Sequence, residues 1–200
     1  MIYTIIGGVN GVGKSSFSGM ISSLPYYTDI GTIVNPDKIT AELNGDAYNG
    51  AKIALNMLND CIEKGVDFTQ ETTLSGHQPI NTAKSAKQKG YYIRLFYIGL
   101  DTLEESLLRI ENRVKRKGHN IPKNVVEKRF DKRFDNLFKM LPYCNEVLFY
   151  DNDNGFKEVG EYKNSSLSTL VDDPPLWFVQ FKSYLKDNEY IDYLTKNRKI

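Results

Sequence analysis

The stretch from Gly7 to Ser16 reads GGVNGVGKSS. Its order Gly8-x-x-x-x-Gly13-Lys14-Ser15 fits a loop that cradles phosphates. Glycine at these places lets backbone N–H groups approach phosphate oxygens with no Cβ in the way. Asn10, Gly11, Val12 and Ser16 complete the set expected to touch the nucleotide. Lys14 brings a mobile charge for the β- and γ-phosphates, and the Ser15 hydroxyl suits Mg²⁺. The guanine-reading pattern Asn-Lys-x-Asp is absent, which favours ATP over GTP.

Two carboxylates belong to the same chemistry. Asp37 follows Asn35-Pro36 and Glu71 precedes Thr72-Thr73, each at the expected end of a strand. A carboxylate there could take a proton from a hydroxyl that attacks phosphorus. The alternatives stay open: Asp37 as a helix cap, and Glu71 as a solvated loop residue. Arg109, Arg113 and Arg116 form a stripe at helical spacing, and Arg129 and Arg133 lie one turn apart further on. Arginine forks match the oxygens of a phosphoryl group in flight, and a closing lid can deliver them. A solvated face paired with Glu104, Glu105 and Glu111 is the competing reading. His119 could touch phosphate or adenine, or only its own backbone.

These residues need a frame. Residues 2–6, 32–35, 66–70, 92–98 and 146–150 read as five strands. Helical segments are expected from residue 13 to 24, from 37, over 47–64 and 78–89, from 101 to 117, and from 122 to about 142. Asp101-Thr-Leu-Glu104 reads as a capping box. The alternation predicts an α/β fold of the P-loop NTPase type: a doubly wound, parallel five-stranded sheet with helices on both faces and an arginine-rich helical lid. In such sheets ligands lie beyond the carboxyl ends of the strands, where the loop, Asp37 and Glu71 would meet. One domain over residues 1–200 is expected, with its core in 1–152 and an appendage in 153–200. That tail holds a hint of a strand and a terminal amphipathic helix near 175–187, with Leu176, Val179 and Leu185 apolar; Trp177, Phe178 and Phe181 are expected to be buried.

Composition narrows the class. The 26 Lys and Arg balance 25 Asp and Glu, for a net charge of +1. That gives no basic excess for nucleic acid, so a polynucleotide-end or RNA kinase is the disfavoured alternative. Two cysteines, Cys61 and Cys144, show no metal spacing and suit a reduced, cytoplasmic setting. No apolar run reaches the roughly 18 residues of a membrane span, and no leader pattern opens the chain.

Taken in order, Gly8-x-Asn10-Gly-x-Gly-Lys14-Ser15, Asn35-Pro36-Asp37, Glu71-Thr72-Thr73 and Arg113-x-x-Arg116-x-Gly118-His119-x-Ile-Pro122 resemble the zeta-toxin family of small P-loop kinases, in particular its compact stand-alone branch. The resemblance covers residues 1–152. It implies transfer of phosphate from ATP, with Mg²⁺, to a hydroxyl of a UDP-activated amino sugar. It gives Asp37 the part of general base and Glu71 that of a substrate-binding carboxylate, with Thr72 and Thr73 beside it. It favours Arg113 and Arg116 as lid arginines, then Arg129 and Arg133. It also implies a small helical antitoxin that blocks the ATP site, so a toxin or nucleotide-dependent binding module is a further alternative. Lys117 departs from the glycine that the branch often carries there.

Overall fold

The computed structural model describes residues 1–25, 29–116, 118 and 120–197, with side-chain surroundings through residue 188. The elements run β1 (Ile2–Gly7), α1 (Lys14–Ser22), β2 (Thr32–Val34), α2 (Pro36–Glu42), α3 (Ala47–Lys64), β3 (Phe68–Thr72), α4 (Gln78–Gln88), β4 (Tyr92–Gly99), α5 (Leu103–Lys115), α6 (Lys123–Asp131), α7 (Arg133–Met140), β5 (Glu146–Asp151), β6 (Lys157–Lys163), β7 (Ser166–Thr169) and α8 (Leu176–Asn197). Strand order is β2-β3-β1-β4-β5-β6-β7.

The first five strands are parallel, as expected from their alternation with helices. β1 and β4 carry near-continuous apolar runs, the mark of strands covered on both faces. Side chains alternate between the faces. Tyr3, Ile5, Leu95 and Phe149 enter one core cluster with residues of α3, α4, α7 and α8. Ile6, Phe96 and Ile98 enter another with Phe17 and Ile21 of α1. Helices therefore cover both faces, and α1 lies directly behind the glycine loop.

Among the described residues the sheet has seven strands rather than five. β6 pairs antiparallel with β5, and β7 with β6. Residues 157–169 are rich in charge and hydroxyls, so they lack the apolar run that marked the inner strands. The edge position explains this: only Val159 is fully buried there, along with Gly160. The helix expected from 122 to 142 breaks at Lys132 into α6 and α7. The break sends Phe130 to the α1 face and Phe134 to the other. The capping box is shifted by one residue, since the Thr102 side chain accepts from Glu105 N.

The terminal helix also differs in register. Leu176 and Val179 are exposed, whereas Trp177, Phe178, Phe181 and Leu185 are buried. The aromatic stripe decides the facing because it removes far more apolar area from water than Leu and Val would. Trp177 lies against Gly99, where a Cβ would come within 2.2 Å of the indole ring. Its Nε1 donates to Asp151 at 2.9 Å, which ties α8 to the end of β5. Phe149 packs on Phe178 and Phe181 with ring centroids 5.3 and 5.6 Å away. The tail thus completes the core on that face.

Truncating a fully buried phenylalanine costs about 3–5 kcal/mol. Phe181→Ala is expected to lose that much in urea unfolding, while Val179→Ala, two residues earlier, changes stability by less than about 0.5 kcal/mol. Equal effects of the two substitutions would contradict the observed facing of α8.

Candidate functional site: a phosphate cradle with two carboxylates

β1 ends at Gly7, and the chain turns through the glycine loop into α1. Gly13 stands at the N-cap of α1 with φ 96, a conformation that side chains disfavour. A Cβ there would meet Asn152 Nδ2 at 2.6 Å. The Lys14 ammonium folds back on the loop and donates to Gly8 O at 2.9 Å and Val9 O at 3.0 Å. Burial pushes its pKa down to about 8; nearby Asp37 and Glu71 oppose that, and Arg129 and Arg113 add to it. Four charged groups expected from sequence therefore lie within electrostatic reach of one lysine.

β3 pairs with β1 so that Glu71 lies opposite Ile6, one residue before the end of each strand. Glu71 is buried inside the strand, not in a loop. Its carboxylate accepts from Ser15 Oγ at 2.7 Å, Ser18 Oγ at 2.7 Å and Asn35 Nδ2 at 2.8 Å. These donors offset the cost of desolvating the charge. Asn35 also caps α2, its Oδ1 accepting from Lys38 N at 3.0 Å. Asp37 is hence not the cap; it sits exposed in the first turn of α2 and faces the cavity.

The cavity holds about 290 Å³ and is lined by Asn10, Gly11, Gly13, Lys14, Ser15 and Ser16 on the loop side. Asp37, Glu71, Thr72 and Thr73 line the strand-end side, and Arg109, Arg113 and Arg129 the lid side. Gly8 and Val12 contribute backbone rather than lining: the Gly8 carbonyl takes Lys14, and the Val12 carbonyl takes Asn152 Nδ2 at 2.9 Å. Thr72 Oγ1 accepts from Leu74 N at 3.0 Å, and Leu74 adopts φ 59 with its side chain buried. Left-handed backbone at a bulky residue is uncommon and marks a turn held in place by its surroundings.

The lid reaches the loop through Asn10. Arg129 Nη1 donates to Asn10 Oδ1 at 3.1 Å, and Ser106 Oγ donates to Asn10 O at 2.6 Å. Arg113 borders the cradle and the two cavities next to it. Arg116 lies further out, exposed, on a shallower cavity with Arg109 and Gly118. Arg133 is not brought to the cradle. Its guanidinium stacks on Phe130 and Phe134, 4.0 and 4.1 Å from the ring centres, and donates to Phe130 O and to Gln180. The helix break at Lys132 turns it toward α8. Lys117 and His119 lie outside the described residues.

Ser18, to which the sequence assigned no role, holds Glu71, while Arg109 of the expected arginine stripe both lines the cradle and pairs with Glu105, and donates to Asn152 O at 2.5 Å. Asn152, just past the end of β5, also clasps the loop. The i, i+4 spacing of Glu105 and Arg109 was a usable signal; the long-range contacts of Asn152 left none.

A second cavity of about 800 Å³ adjoins the first and shares Ser15, Asn35, Asp37, Glu71 and Arg113 with it. Its other wall is partly apolar, with Ile33, Ile39, Leu43, Ile53 and Met57 beside the charged Lys38 and Glu42.

Strand order, the loop between β1 and α1 and the lid helices define a P-loop protein of the α/β class. The zeta toxin family model matches residues 25–154, more than half of the chain, and the chain belongs to that family. The match begins beyond the glycine loop, so loop and family are independent observations. An uncharacterized protein of Haemophilus influenzae is 33% identical over 129 residues, covering 62% of this chain and 88% of that one. Among solved structures, the PezAT chromosomal toxin–antitoxin system of Streptococcus pneumoniae aligns with TM-score 0.59 and 21% identity, over 78% of this chain and 70% of that chain. An AvrRxo1-ORF1:ORF2 complex with ATP aligns with TM-score 0.63 and 15% identity, over 84% of this chain and 60% of that chain. At these identities the structural likenesses establish the fold. No helix among the described residues is long and apolar enough to cross a membrane.

A lysine whose pKa is lowered to about 8 is partly neutral in mildly alkaline solution. A polyphosphate beside it favours the charged form and raises the pKa. Binding of a nucleotide triphosphate is therefore expected to take up protons, more at about pH 8.5 than at about pH 7.5. Calorimetry in buffers of different ionisation enthalpy reads this directly; proton release at the higher pH would contradict it.

Proposed function

We propose that this protein is an ATP- and Mg²⁺-dependent kinase that phosphorylates a hydroxyl of a UDP-amino sugar or a similar phosphorylated metabolite. The observation that carries the reading is that Asp37 and Glu71 share one cavity with the glycine loop and Lys14. The triphosphate lies along the loop, with Lys14 exchanging the Gly8 and Val9 carbonyls for phosphate oxygens. Asp37 stands where the phosphate cradle opens into the partly apolar second cavity. An acceptor in that cavity presents its hydroxyl to Asp37. The Asp37 carboxylate takes the proton as the oxygen attacks the γ-phosphorus, and ADP departs. Arg113 and Arg129 face the charge that spreads over the transferring group, with Arg116 joining on lid closure.

The residues present fit a hard cation. Ser15 Oγ and the Glu71 carboxylate are oxygen donors 2.7 Å apart. Among the described residues no cluster of three or more His, Cys, Asp or Glu could hold a metal by itself, so phosphate oxygens would complete its shell. When bound, Mg²⁺ neutralises charge on the β- and γ-phosphates. The Ser15 hydroxyl donates to Glu71 and accepts from Asn35 Nδ2 at 3.1 Å, which leaves one lone pair that could turn to a cation; Glu71 also lines the second cavity. Thr72 and Thr73 offer hydroxyls at the same wall.

Likeness to a toxin–antitoxin system supports a second element of the reading. A helical antitoxin that fills the cradle would control the activity by excluding ATP.

Removing a general base costs about 10²–10⁴ in rate. Asp37→Asn is expected to lower kcat by at least about a hundredfold while adenylyl imidodiphosphate binds within about twofold of the parent. Mass spectrometry of UDP-N-acetylglucosamine incubated with ATP and Mg²⁺ provides the assay, read as gain of one phosphate. Wild-type turnover by the variant would remove Asp37 from the role of base.

A further inference from the structure

The two lid helices have a small core of their own. Ile110 of α5 clusters with Ile121 and with Val126 of α6, and among the described residues no side chain of the sheet joins them. The direction of α6 is therefore set largely by how it is attached. On its carboxyl side the attachment is the break at Lys132, where α6 ends and α7 begins. An unbroken helix would place Phe130 and Phe134, four residues apart, on one face. The break instead sends Phe130 into the core beside α1, while Phe134 packs against Phe181 of α8 with ring centroids 5.6 Å apart.

Arg133 bridges the two rings. Its guanidinium carbon lies 4.0 Å from the centre of Phe130 and 4.1 Å from the centre of Phe134. Nη1 donates to Phe130 O at 2.9 Å, in the last turn of α6, where the helix's own donors run out. Nη2 donates to Gln180 Oε1 on α8 at 3.3 Å. One planar cation thus touches α6, α7 and α8 at once. The placement is costly: Nε is buried with no hydrogen-bond partner, and burial lowers the pKa against the opposing effects of Tyr97 and Asp131. A methionine would fill similar space with no donor to satisfy, but it has no fork to fix the three helices.

We infer that Arg133 is a positioning residue that acts through Arg129. By bridging Phe130 and Phe134 it sets the angle between α6 and α7, and so holds Arg129, one turn earlier, against the glycine loop. The inference rests on the kinase reading for what Arg129 does to a nucleotide; the bend itself stands on geometry. Arg129 lines the cradle, and its Nη1 reaches Asn10 Oδ1 at 3.1 Å. It lies about 5 Å along the axis from the bend, and its side chain reaches further, so a tilt of about 10° moves the guanidinium by roughly 1 Å, enough to lose a hydrogen bond. The two arginines therefore divide the work: Arg129 faces the phosphates, and Arg133 aims it.

Hydrogen exchange on the nucleotide-free full chain compares wild type with Arg133→Met. Losing the cation and its fork is expected to speed exchange about tenfold in α5 and α6, while α8 and the sheet stay within about twofold. Arg133→Lys, which keeps the charge without the fork, shows the same pattern in smaller measure and carries the test if the methionine variant does not fold. The second readout is the affinity for adenylyl imidodiphosphate with Mg²⁺ in Arg129→Met, Arg133→Met and the pair. Arg133→Met is expected to weaken binding about three- to tenfold in the wild-type background and less than about twofold once Arg129 is gone. Effects that multiply in the pair, or exchange that rises equally in α7, α8 and the sheet, reduce Arg133 to core packing and overturn the inference. A wild type that binds no nucleotide removes the kinase reading, and the exchange pattern then decides the bend by itself.

Discussion

The buried carboxylate of Glu71 is the joint on which the site depends. Its three hydrogen bonds reach α1 through Ser15 and Ser18 and reach the start of α2 through Asn35. Two successive helices are thereby fixed against the end of a strand that lies well beyond them in the chain. The same Asn35 caps α2 and so sets the turn that presents Asp37. The arrangement rests on register. Side chains alternate along a strand, so a slip of one residue between β1 and β3 would carry Glu71 to the opposite face of the sheet. The buried Gln70 helps hold that register by accepting from Tyr3 of β1, while Thr69 Oγ1 donates to Ile30 O at 2.6 Å and ties β3 to the segment before β2.

Around this joint the protein keeps features that cost stability. Lys14 is desolvated enough to lower its pKa, Leu74 is held in left-handed backbone, and the lid side gathers several arginines near one lysine. A chain selected for stability alone would relieve each of them. Their concentration at one strand-end crevice is what a phosphate site requires: the polyphosphate supplies the missing negative charge when it arrives. The remaining parts stiffen the surroundings. Asn152 and Asn10 tie the glycine loop to the end of β5, to α5 and to α6. Trp177, through Asp151, ties the terminal helix to the same strand end.

What the sequence disclosed follows from how local each signal is. The glycine loop, the parallel strands and the 18-residue α3 with its glycine stop declare themselves within short windows. The motifs Asn35-Pro36-Asp37 and Glu71-Thr72-Thr73 fall at strand ends, and the sheet order then brings them to one cavity. Three features were illegible for physical reasons. β6 and β7 form a polar edge hairpin, whose backbone pairing leaves no apolar period to read. Arg133 sits one turn after Arg129, and only the break at Lys132 directs it to α8 instead of the cradle. Asn152 acts on a carbonyl 140 residues earlier, a contact that no window contains.

A crystal structure with Mg²⁺ and adenylyl imidodiphosphate tests the central claim most directly. The account predicts the triphosphate in the glycine loop, Lys14 Nζ moved from the Gly8 and Val9 carbonyls to phosphate oxygens, and the γ-phosphorus facing the opening where Asp37 stands. An empty loop, or a terminal phosphate directed away from Asp37, would contradict it.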